Sequence, residues 1–201
     1  TVEGLETSNP SSIDVTTTKL TNAISGTAIV KDANGNDVTA QFNVKTTDGS
    51  LEIKAREITV AVEDKEVEYN GSEQYGNSEY AFTNVVTGQT ATIGYTAAKG
   101  TLVNTYDNGA YADDLKVVDA DGNDVTKNYN LTTKTAGKLT IKDRTEKYAI
   151  TVEANSSTNN TYDGTAKSAT GFKTLSFTVE GNTYTVEGLE TSNPSSIDVT
   201  T

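Results

Sequence analysis

Two short stretches carry side-chain oxygens at alternate positions, Asp32-x-Asn34-x-Asn36 and Asp119-x-Asp121-x-Asn123. That spacing suits the oxygen ligands of a calcium loop. A helix-flanked calcium loop also needs a bidentate acid at its twelfth position, and here that position holds Asn43 or Asn130. Both stretches therefore read as β-hairpin tips, which favour Asp, Asn and Gly for conformational reasons, and no metal site is assigned. Five tyrosines, Tyr75, Tyr80, Tyr95, Tyr106 and Tyr111, could present flat apolar rings with polar tips to a sugar. The simpler reading is packing in a chain that has no Trp. A Lys–Asn isopeptide crosslink would need a buried Lys, Asn and acid in contact, which a sequence does not display. The chain has no His and no Cys, so the usual zinc ligands, the commonest general base, thiol chemistry and disulfides are all missing. No nucleophile triad, phosphate loop or catalytic carboxylate pair emerges. We expect no catalytic residues, no cofactor and no enzyme activity.

The elements that hold these residues are strands. Apolar residues alternate with polar ones at Leu51 and Ile53, at Ile58, Val60 and Val62, at Leu139 and Ile141, at Ile150 and Val152, and at Leu175, Phe177 and Val179. A period of two buries one face of a strand. No helical stripe of useful length appears. Asn34-Gly35, Asn70-Gly71, Asn108-Gly109, Asp48-Gly49, Asp121-Gly122 and Asp163-Gly164 punctuate the runs with dipeptides that accept positive φ. The expected class is all-β, with small antiparallel domains in tandem, either immunoglobulin-like sandwiches or helix-less β-grasp-like sheets, in an extended array.

The organisation rests on repetition. TVEGLETSNPSSIDVTT opens the chain at Thr1 and recurs unchanged at Thr185, 184 residues on. A second, imperfect repeat lies within that period. Asp32–Thr39 recurs as Asp119–Thr126, Gly49–Arg56 as Gly137–Arg144, Ile58–Val60 as Ile150–Val152, and Tyr69–Ser72 as Tyr162–Thr165. The chain reads as a window on a tandem array. Residues 56–145 form one complete repeat unit. Residues 1–55 are the C-terminal part of a split unit, and residues 146–201 the N-terminal part of the next. Joining the end of one copy to the start of another would restore the split unit, so we expect head-to-tail packing between neighbouring repeats or copies. In the complete unit, Ile58–Val62 and Leu139–Ile141 are expected to be parallel neighbours. Lys54–Arg56 and Lys142–Lys147 are short, charged linkers.

The net charge is −12 and the apolar content 34%. A surface so acidic repels phosphate, so no nucleic-acid partner is expected. No apolar run suggests membrane insertion of this segment.

The order of motifs resembles the MBG/YDG-type repeat domains of bacterial surface proteins. It comprises an Ile-Thr-Val strand (Ile58–Val60, Ile150–Val152), a Tyr-(Asn/Asp)-Gly turn (Tyr69–Gly71, Tyr162–Gly164), the Asp/Asn hairpin (Asp121–Thr126, Asn34–Thr39), an Asn-Tyr-Asn-Leu-like segment (Asn128–Leu131, Phe42–Val44) and a closing strand (Gly137–Ile141, Gly49–Ile53). The resemblance implies an exported bacterial protein, on the cell surface or secreted. Two roles follow as expectations: a structural stalk or head-to-tail fibre, or a weak adhesin module for host glycan or mucin acting through avidity.

Overall fold

A computed structural model describes residues 1–198 of the chain. Among them there are twenty short strands, two single-turn 3-10 segments at Thr39–Gln41 and Thr126–Asn128, and no α-helix. The chain is all-β, as its alternation implied. The last three residues of the second TVEGLETSNPSSIDVTT copy lie outside the described residues. Among the described residues, no helix is long and apolar enough to cross a membrane.

The strands gather into small separate sheets of two or three, and the contacts divide into two units. One unit takes Thr1–Glu63, Ser78–Thr96 and Ala110–Ala136. The other takes Asp64–Asn77, Ala97–Gly109 and the residues from Gly137 onward.

In the first unit Arg56–Val62 is the middle strand of three. It pairs antiparallel with Tyr80–Thr83 and parallel with Tyr129–Thr135. Ile58, Val60 and Val62 point to one face, as a period of two requires, and all three are buried. Ile58 meets Val117 and Tyr129, with Phe82, Val85, Ala91, Leu115, Val125 and Leu131 packed around them. Antiparallel pairs complete the unit: Val2–Thr7 with Ile24–Val30, Leu20–Asn22 with Gly49–Leu51, Thr90–Thr92 with Lys116–Val118, and Tyr95–Thr96 with Ala110–Tyr111.

In the second unit Leu139–Lys142 is the middle strand. It runs antiparallel to Asn104–Tyr106 and parallel to Lys65–Glu68. Leu139, Ile141 and Ala98 form its core, with Val67, Tyr69 and Tyr106 packed on them. Gln74–Tyr75 pairs with Lys99–Gly100, Ser176–Val179 forms a hairpin with Asn182–Thr185, and Lys167–Ser168 pairs with Ser195–Ser196.

Two expectations are corrected. Ile58–Val62 and Leu139–Ile141 are not neighbours; each has a different parallel partner. The reason is register. Leu131 lies opposite Ile58 and Val67 opposite Ile141, so each strand meets an apolar residue at one position of its ladder. The second correction is local. Ile150–Val152 alternates like Ile58–Val60 but belongs to no strand. Alternation marks a face that could be buried, and a strand forms only when a neighbour accepts its hydrogen bonds.

Candidate functional site

The two Asp/Asn stretches fold into the same turn. Asp32 Oδ1 accepts from the backbone N–H of Asn34 and Asn36, both at 2.9 Å, and its Oδ2 accepts from Asn36 Nδ2 at 3.0 Å. Asp119 repeats this with the N–H of Asp121 at 3.0 Å and Asn123 at 2.8 Å, and with Asn123 Nδ2 at 3.0 Å. Gly35 and Gly122 supply the positive φ at the tips, +86° and +84°. Downstream, Asp37 and Asp124 each accept from a threonine N–H, of Thr39 and Thr126. Those threonine hydroxyls accept in turn from Val30 N–H and Val117 N–H, both at 2.8 Å. The Asn36 side chain and the turn amides hold the Asp32 carboxyl below its ordinary range, and Asn123 does the same for Asp119. These carboxylates serve as caps for their own turns, and their lone pairs are aimed at amides.

The five tyrosines are divided between the two units. Tyr80, Tyr95 and Tyr111 lie in the first unit, Tyr75 and Tyr106 in the second. Most of their hydroxyls are spent on the chain itself. Tyr80 Oη accepts from Ile93 N–H at 3.3 Å, Tyr106 Oη bonds both the N–H and the carbonyl of Leu102, and Tyr111 Oη donates to the Thr135 carbonyl at 3.0 Å. Tyr75 Oη donates to Glu73. Tyr95 and Tyr111 stack tilted, with ring centroids 4.6 Å apart. Their role is packing and closure of loops. No charged or polar side chain is buried among the described residues, so the enclosed Lys–Asn–acid contact of an isopeptide site is not assembled there.

A different tyrosine cluster, not anticipated from the sequence, lies in the second unit. Tyr69 Oη and Tyr184 Oη are 3.4 Å apart. The Arg144 guanidinium sits over the Tyr148 ring, 4.0 Å from its centroid, a cation–π geometry. Arg144 Nη1 also donates to the Tyr69 carbonyl at 3.2 Å. The Tyr69 hydroxyl, with burial adding to it, pushes the Tyr184 phenol up to about 12. The Tyr-Asn-Gly turn makes room: Gly71 has φ +78°, and a β-carbon there would lie 2.0 Å from Tyr184 Oη. A raised phenol is a weaker acid at neutral pH, with no base in the cluster, so the arrangement braces a turn rather than moves protons. The sequence signal was the Tyr-(Asn/Asp)-Gly turn itself; its partner Tyr184, 115 residues away, left no local trace.

The counterpart turn in the C-terminal half stands open. Tyr162 is 65% exposed and a β-carbon on Gly164 would meet nothing within 4 Å. Beside it lies a shallow polar cleft of about 440 Å³, lined by Asn160, Tyr162, Lys167 and Ser195 among others. Among the described residues, no group of three or more acids could hold a metal ion. Comparison with known proteins returns no match: no family model fits the chain, and no curated protein or solved structure matches it.

Proposed function

We propose that this chain is a structural repeat region of a bacterial surface or secreted protein, made of tandem small β domains that form an extended stalk or a head-to-tail fibre. The observation that carries this reading is the unchanged recurrence of Thr1–Thr17 as Thr185–Thr201. Fixed-period identity is the mark of an array in which each unit meets its neighbours. The resemblance to MBG/YDG-type repeats supports it. So does the use of the chain's reactive side chains, which cap turns and close loops. The scattering test joins one, two and three 184-residue periods in single chains. A maximum dimension that rises by a constant increment per period is expected; growth as a compact globule overturns the stalk. Antibody raised against the chain should label the outside of intact cells, and labelling only after permeabilisation overturns the surface assignment.

A second reading, a weak glycan or mucin adhesin module acting through avidity, draws on the open cleft beside Tyr162, where an exposed ring adjoins hydroxyl, amide and ammonium groups. A glycan array separates the two: reproducible binding lost in Tyr162→Ala supports the adhesin, and a blank array leaves the structural role.

A further inference from the structure

The half-units at the two ends of the chain expose residues whose counterparts in residues 56–145 are buried or partly buried. By the repeat, Phe42 corresponds to Tyr129, Val44 to Leu131 and Ile150 to Ile58. Tyr129 is 9% exposed and Ile58 fully buried, whereas Phe42 is 57%, Val44 38% and Ile150 44% exposed. Their strand partners differ in the same way. Arg56–Val62 has a strand on either side. Its counterpart around Ile150 keeps only one of these contacts, the isolated antiparallel bridge Ala154↔Phe172, reinforced by Lys173 N–H donating to the Glu153 carbonyl at 2.8 Å. On the side that would receive the parallel strand, no strand pairs with it among the described residues. In the other half, Gly49–Leu51 has one neighbour, Leu20–Asn22, where its counterpart Leu139–Lys142 has two.

We infer that these two half-units are halves of one interface, and that the occupant of each is a second copy of this chain. Phe42–Lys45 of one copy pairs in parallel with Tyr148–Val152 of the next, placing Val44 opposite Ile150 as Leu131 lies opposite Ile58. The template ladder has a bulge between Leu131 and Thr133. The segment from Asn43 to Gly49 is one residue shorter than that from Asn130 to Gly137, so the new ladder needs no bulge. Gly49–Leu51 gains its missing neighbour from the residues that follow Val152. Parallel main-chain bonds fix orientation, and the alternate apolar side chains fix register. Because each copy offers one half of each kind, the contact is heterologous and does not close.

This rests on the fibre reading above and names its contact. The test is light scattering on the full chain and two variants, Phe42→Asp and Ile150→Asp. Both positions are exposed in the single chain, so the charge leaves its fold intact, which amide spectra verify. The parent's mass should rise with concentration above the 21.3 kDa of one chain. Each variant alone should remain at that mass. An equimolar mixture should stop at twice it, because only one sound pair of halves is left. A parent monomeric up to about 1 mM, the effective concentration of a short tether, overturns the inference. So do variants that assemble like the parent, or a mixture that stays monomeric while the parent grows. None of these outcomes bears on the joined-period scattering experiment, in which the halves meet within one chain.

Discussion

Gly71 occupies a position where only the absence of a side chain keeps two tyrosines together. With φ at +78° and Tyr184 Oη 2.0 Å from any β-carbon, Gly71→Ala strains the backbone and expels the ring. We expect a loss of roughly 1–2 kcal/mol, and spectrophotometric titration should show the late-ionising tyrosine, at about 12, returning toward the usual range near 10. The counterpart turn is the control: Gly164→Ala meets open space and should leave that titration alone. The aspartates of the hairpin tips obey the opposite sign. Asp32 and Asp119 have folded pKa values below their ordinary 3.8, so their contribution is complete above that value and is lost as the pH falls through the lowered one. The amide signals of Asn36 and Asn123 should therefore shift together only below about pH 4. A shift centred above that pH, or in one loop alone, would contradict the shared capping. The turns were readable from sequence because Asp, Asn and Gly act within a few residues. The tyrosine contact was not, since it joins distant positions.

Strands are where local pattern and long-range partner separate. Ile58 and Ile150 sit in the same Ile-Thr-Val triplet, yet one is fully buried and the other 44% exposed. Ile58→Ala should cost about 2–5 kcal/mol, the usual range for a buried isoleucine. Ile150→Ala should cost less than about 0.5 kcal/mol in dilute solution, since exposed positions tolerate truncation. Chemical denaturation of both variants at low concentration measures the contrast, and equal losses would refute the assigned burial. The alternation at Ile58–Val62 and Leu139–Ile141 told which residues would be buried. It could not tell that these strands pair in parallel with Tyr129–Thr135 and Lys65–Glu68, because pairing depends on what lies opposite. The same limit explains why Ile150–Val152 read as a strand and is not one.

For the molecule as a whole, a net charge of −12 sets copies against one another. Salt screens that repulsion, with a Debye length near 10 Å at 0.1 M. Association of the parent chain should therefore strengthen between 20 mM and about 0.5 M sodium chloride; weakening would point to ion pairs as the contact. Charge and period were legible in the residues, whereas the division into two sets of small sheets was not, because it follows from packing between distant segments. The parallel pairing also has a mechanical side. If a chain is pulled by residues flanking 56–142, Arg56–Val62 is drawn one way and its parallel neighbour Tyr129–Thr135 the other. The load then falls along the ladder, on all its hydrogen bonds at once, whereas a hairpin pulled from its open end gives up one bond at a time. Single-molecule pulling should show residues 56–142 resisting more force than the Ser176–Val179/Asn182–Thr185 hairpin. Under load, then, the chain would hold at such ladders and yield at its hairpins.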